Sequence, residues 1–213
     1  MIFPHEYTLY VKSLVGVLAI VNPLGAIPIF LALCGNRNPA ECQKIARVSA
    51  FSVAVVLMIS LWAGETILNF FGISLSAFRC GGGLLILLMG INMLHAKQSH
   101  MRHTPEEAEE AGNKENISVV PLAIPLMAGP GAISLVIVDA HQAASWSGRL
   151  ILSIGIVIVA CVVWQALRLA TPIGEKMGIT GLNIATRVMG LLLVAIGVQM
   201  VTSGLSTLLP GLA

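Results

Sequence analysis

Apolar residues run almost without interruption through six stretches of the chain, at residues 9–33, 48–71, 75–96, 117–138, 150–170 and 186–209. Each is close to the roughly 20 residues that a helix, rising about 1.5 Å per residue, needs to cross a hydrocarbon layer about 30 Å thick. No water reaches that layer to satisfy the backbone, so a spanning segment must bond to itself, as a helix does. The pattern therefore predicts an all-α polytopic membrane protein with six transmembrane helices. Two of the six are interrupted near their middles. The first carries NPLGAIP at residues 22–28, and the fourth carries AGPGAI at residues 128–133. Proline removes a backbone donor and glycine loosens the helix, so both segments predict breaks at mid-depth. Freed backbone groups there cost several kcal/mol each unless protein or a water-filled cavity satisfies them. Pro121 and Pro125 precede the second break, so that span is not a regular helix throughout.

Composition agrees with the pattern. Hydrophobic residues make up 56% of the 213 and charged residues 10%, against about 25% charged in a soluble domain. A net charge of +2 is too small to point to nucleic acid. MIFPHEYTLY has no basic region ahead of its apolar run, and that run is too long for a signal peptide, so the first span is expected to be retained. The first, third and fifth loops hold nine of the lysines and arginines, and the opposite side holds Lys12, Arg79 and Arg149. By the positive-inside rule the odd loops are cytoplasmic, which leaves both termini outside.

The third loop, QSHMRHTPEEAEEAGNKEN, is the clearly hydrophilic segment and reads as a linker between two halves. Its flanks repeat one another. Gly83–Met93 aligns without gaps to Gly190–Met200 at an offset of 107, and Gly25-Ala26-Ile27 recurs as Gly131-Ala132-Ile133 at an offset of 106. The chain then divides into a three-helix repeat at 1–98, a hydrophilic cytoplasmic linker at 99–116 and a second three-helix repeat at 117–213. Three spans is an odd number, so the second repeat enters the membrane in the opposite sense. The expected architecture is a 3+3 inverted-topology repeat with interrupted first and fourth helices, as in many secondary transporters.

The paired breaks are the candidate binding site. Half-helix N-termini present amide donors and partial positive charge, while C-termini present carbonyls. A zwitterionic amino acid needs both. Asn22 adds a side-chain amide, and Pro23, Gly25 and Pro28 shape the first break. Gly129, Pro130 and Gly131 shape the second, and Ser134 follows one turn later, either to meet a ligand or to bond back to its own helix. Kinking and close helix packing are the competing roles for these residues.

Glu65 is the carboxylate well inside an apolar span, and Arg79 opens the next span on the same side. Intramembrane ionisable groups mark functional sites, so Glu65 is a candidate coupling group. Its nearness to the headgroups favours an interfacial Glu65–Arg79 ion pair instead. Asp139 and His141 are expected at the outer surface. Cys34, Cys42, Cys80 and Cys161 share no motif spacing, and His95, His100 and His103 lack partner cysteines, so neither a metal site nor a disulfide framework is expected. No HExxH, P-loop, CxxC or nucleophile–base set occurs, which points away from an enzyme and from any cofactor.

NPLGAIPIF, GISLSAFRCGGGLLILLMGINML, VVPLAIPLMAGPGAIS and TRVMGLLLVAIGVQM together resemble the MarC family across essentially the whole chain. The resemblance implies a six-span protein of the bacterial inner membrane, with both termini periplasmic in the orientation counted above. It also implies transport of small neutral amino acids, glycine or alanine among them. By motif match the family's site falls on Asn22, Pro23, Gly25, Pro28, Gly129, Pro130 and Gly131. The expected function is a secondary transporter working by alternating access, with a proton or sodium ion for coupling, the lipid bilayer around it and oligomers open. A channel or exporter for another small solute, or a non-transporting scaffold or regulatory protein, are the alternatives.

Overall fold

A computed structural model describes residues 5–35, 37–95, 127–143, 145–209 and 211, with side chains from residue 9 onward. The linker at 99–116, His100, His103, Pro121 and Pro125 lie outside the described residues. Regular structure among those described is helical throughout: α1 (His5–Val21), α2 (Pro23–Cys34), α3 (Pro39–Phe70), α4 (Leu75–Leu94), α5 (Pro130–Gln142), α6 (Trp146–Arg168) and α7 (Ala170–Leu208). Five stretches are long and apolar enough to cross a membrane: Leu9–Cys34, Pro39–Phe70, Leu75–Leu94, Trp146–Arg168 and Ala170–Leu208. The first joins α1 and α2. Of the expected fourth span, the described part is the 13-residue α5 and the turn before it.

Helix starts follow local chemistry. Asn38 accepts the Glu41 N–H at 2.8 Å and returns its own amide to the Glu41 carboxylate at 2.8 Å, ahead of Pro39. Ser74 and Ser145 cap α4 and α6 through the N–H groups of Ala77 and Gly148. Two helices outrun their apolar windows. Helix α3 starts nine residues before position 48 and α7 sixteen before 186, because helical hydrogen bonding does not end where the hydrocarbon does. Gly178, at φ 62°, breaks α7 into a short leading segment and a long spanning one. Only glycine takes that left-handed turn without steric cost.

Packing runs across the chain rather than along it. Helices α1–α4 find their neighbours mainly among α5–α7: α3 lies on α6 and α5, α4 on α7 and α5, α1 on α5, α6 and α7, and α2 on α6 and α7. Ile20, Ile27, Leu57, Ile86, Val163 and Leu193 are essentially fully buried where these helices meet. Phe51, Ile154 and Leu191, each more than 60% exposed, project outward as lipid-facing side chains must.

The tightest seam is α4 against α7. A Cβ placed on Gly197 would stand 2.7 Å from the Leu87 nitrogen and 2.8 Å from the Gly83 oxygen. One on Gly90 would stand 2.8 Å from the Gly190 oxygen and the Val194 nitrogen, and one on Gly204 would stand 2.8 Å from the Ser76 oxygen. The helices run antiparallel with backbone touching backbone, the close approach that small residues permit in membranes.

Candidate functional site

The first break is built by a single residue. The Asn22 N–H completes α1 by donating to the Leu18 oxygen at 3.0 Å. Its backbone then turns left-handed at φ 45°, the one positive φ at a non-glycine among the described residues. Asparagine tolerates that region better than other side chains. The same side chain accepts the Gly25 N–H at 3.2 Å and so caps α2, while Pro23 fills the first helical position, where no donor is needed. Asn22 is 4% exposed.

The second break follows a different rule. Gly129 opens α5 in an extended conformation with no side-chain cap, and Pro130 again takes the first position. A Cβ on Gly131 would lie 3.1 Å from Ile86, 3.2 Å from the Met89 sulfur and 3.6 Å from Ile20. Ile20 precedes Asn22 by two residues, so the two breaks lie side by side between α1, α4 and α5. Ser134 is buried against Gly82, where an added Cβ would be 2.7 Å from its Oγ. The surroundings are tightly closed: Ile20, Val21, Met127 and Ala128 are each 1% exposed.

Not every expected member joins this centre. Asn22, Pro23, Gly129, Gly131 and Ser134 are buried and Gly25 half-buried, whereas Pro28 and Pro130 fall on exposed helix faces. Those two prolines shape the backbone without facing the interior.

Glu65 has partners other than the expected one. Its two carboxylate oxygens meet His141 Nδ1 at 3.0 Å and Arg149 Nη2 at 3.1 Å, tying α3 to α5 and α6. Arg79 is not among the partners found for Glu65 in the described residues. The reason is tertiary, since α3 packs on α6 rather than on the sequence-adjacent α4. Trp62 donates to Ser153 at 3.2 Å beside this cluster and packs on Trp146 at 5.2 Å, as amphipathic rings do at a membrane–water interface. Glu65 is 38% exposed on its side chain, so Arg149→Gln is expected to lower stability by only about 0.5–1 kcal/mol, read as a small drop in melting temperature in detergent. Arg79→Gln should leave that cluster intact.

Asp139 is the residue that the sequence pattern misplaced. It is 7% exposed rather than superficial, and Ser13 Oγ donates to its Oδ2 at 2.6 Å. A signal was present: Ser13 precedes Asn22 by nine residues, and Asp139 follows Pro130 by nine. Each is therefore about 14 Å along its helix from a break, close to half the hydrocarbon thickness. Among the described residues no group of three or more histidine, cysteine, aspartate or glutamate side chains could hold a metal ion.

Residues 7–209 match the family model of MarC family integral membrane proteins. The chain belongs to the MarC family. It is 41% identical over 207 residues to the UPF0056 membrane protein BU267 of Buchnera aphidicola subsp. Acyrthosiphon pisum, covering 97% of this chain and 96% of that protein. It is 38% identical over 207 residues to the UPF0056 membrane protein YhcE of Escherichia coli, with the same coverage. The archaeal relative MJ1677 of Methanocaldococcus jannaschii is 34% identical over 197 residues, 92% of this chain and 95% of that one. No solved structure matches the chain. This MarC family protein is thus an integral multi-pass membrane protein, and lipid bilayer contact follows from that.

Proposed function

We propose that this MarC family protein is a secondary transporter of small neutral amino acids, glycine and alanine foremost, working by alternating access around the two helix breaks. It carries solute and has no enzymatic role. The observation that carries the reading is the buried Asn22 turn lying beside the Gly129–Pro130–Gly131 turn, through Ile20 and Gly131. Two half-helix N-termini, α2 and α5, start at these turns, and their partial positive charge suits a carboxylate. The C-terminal end of α1, which stops at Val21 beside the first turn, presents carbonyls for an ammonium. Closure of the surroundings corresponds to a sealed state that must open to one side at a time.

The reading places the chain in the bacterial inner membrane with periplasmic termini, as a 3+3 inverted repeat. Support for the repeat comes from the α4–α7 seam. Gly83 aligns with Gly190 and Gly90 with Gly197 in sequence, while Gly83 contacts Gly197 and Gly90 contacts Gly190 in space. Exchanging the halves maps each contact onto the other, as a pseudo-two-fold axis requires. Because the halves interleave, the moving parts are α1–α2 and α5 against the α4–α7 pair, not one half against the other.

The test is transport by purified protein in vesicles. Labelled glycine or alanine is expected to cross with saturable kinetics under a proton or sodium gradient and to be displaced by other small neutral amino acids. Flux no greater than in empty vesicles, under either gradient in either direction, would overturn the reading. A linear, unsaturated flux would indicate a pore instead.

A further inference from the structure

A cavity of about 180 Å³ lies between α1 and α6, closed beneath by α3 and α5, and is separate from the two breaks. Its chemistry is divided along its length. Tyr10, Ser13 and the buried Asp139 are its polar lining groups, and Val17, Ile158 and Val159 belong to its apolar remainder. Ser13 and Asp139 stand about 14 Å along their helices from the breaks, while Val17 is four residues closer, so the polar end lies towards the headgroups and the apolar end towards mid-depth. The wall also includes Val11 and Ile154, 60% and 61% exposed on the lipid-facing surface, so the cavity opens sideways to the bilayer.

Asp139 is the ionisable acid of this wall, and Arg79 is not part of it. The carboxylate has room for about four hydrogen bonds, and the Ser13 hydroxyl is the one found for it among the described residues. A primary ammonium carries three donors, and the Asp139 carboxylate and the Ser13 oxygen beside it are adjacent acceptors for it. Cavities of about 150 Å³ hold guests the size of benzene, so the space suits a short hydrocarbon body. Burying a carboxylate beside apolar walls is costly unless a cation and hydrogen bonds accompany it. We propose that this cavity binds a small bilayer-dissolved amphiphile bearing one primary ammonium, with the ammonium on Asp139 and the apolar body along Val17 and Ile158.

The probe is n-hexylamine, charged at neutral pH as a lysine side chain is, compared with uncharged 1-hexanol on the whole protein in phosphatidylcholine nanodiscs. Hexylamine is expected to raise the unfolding temperature saturably and to bind more tightly than hexanol. Asp139→Asn is expected to weaken hexylamine by roughly tenfold or more and to leave hexanol unchanged. Gly155 also lines the cavity, and a Cβ there would meet Leu14 alone, at 3.8 Å, so Gly155→Leu should fill the space and abolish binding of both probes. Equal affinity of wild type for the two probes, or hexylamine binding untouched in Asp139→Asn, would overturn the assignment. So would loss of hexylamine binding in phosphatidylethanolamine nanodiscs, which would give the site to a lipid headgroup. The two-probe comparison on wild type decides even if Asp139→Asn does not fold, and none of these readouts depends on transport.

Discussion

Gly197→Leu is expected to prevent α4 from closing on α7, giving protein that unfolds at much lower temperature in detergent or is not recovered folded. The atoms that its Cβ would strike, Leu87 N and Gly83 O, are backbone of the facing helix and cannot rotate away. The helices must separate, and every contact along the seam loosens with them. Overpacking of this kind typically costs about 1–3 kcal/mol even for one added methyl group, and leucine adds more. Total stabilities of about 5–15 kcal/mol make that a large share. Gly90→Leu should behave alike, because its Cβ would meet Gly190 O and Val194 N at 2.8 Å. Gly81, on the same helix, has nothing within 4 Å of an added Cβ. Gly81→Leu should therefore be neutral, or stabilising by up to about 1 kcal/mol through helix propensity. If Gly197→Leu and Gly81→Leu melted alike, the seam would not be what holds these helices together.

Substitution at the first break is expected to remove transport while leaving most of the fold. A Cβ on Gly25 would lie 2.9 Å from Asn22 Cγ, so Gly25→Leu displaces the side chain that caps α2. Asn22 itself offers a graded series. Asn22→Gly keeps the left-handed turn and loses the cap, whereas Asn22→Ala loses both. The cap contributes about 1 kcal/mol, and the left-handed turn costs a further 1–2 kcal/mol or so at an alanine. Glycine flux into vesicles should then fall in the order wild type, Asn22→Gly, Asn22→Ala, with Gly25→Leu near background. Gly131→Leu should also be near background, since its added side chain meets Ile86 and Met89. A folded Gly25→Leu protein that moved glycine at the wild-type rate would remove the breaks from the transport site.

Much of this was written in the sequence because lipid makes helices legible. A spanning segment must satisfy its own backbone, so apolar length alone identified the stretches containing α1–α2, α3, α4, α6 and α7 as candidate membrane crossings. Asn-Pro and Gly-Pro are breaks for reasons internal to the chain, and the Asn22 turn falls where those residues put it. The MarC motifs carried the family. None of these properties needs a partner helix to define it.

Tertiary structure decided which faces meet. It gave Glu65 to Arg149 and His141 instead of Arg79, buried Asp139 against Ser13, and turned Pro28 and Pro130 to exposed faces. It also set Gly83 against Gly197, where the linear repeat pairs Gly83 with Gly190. Inside a bilayer all faces of an apolar helix are equally at home, so hydrophobic patterning does not choose between them. The choice falls to backbone clearance and a few buried polar contacts between residues such as Ser13 and Asp139, 126 positions apart in the chain.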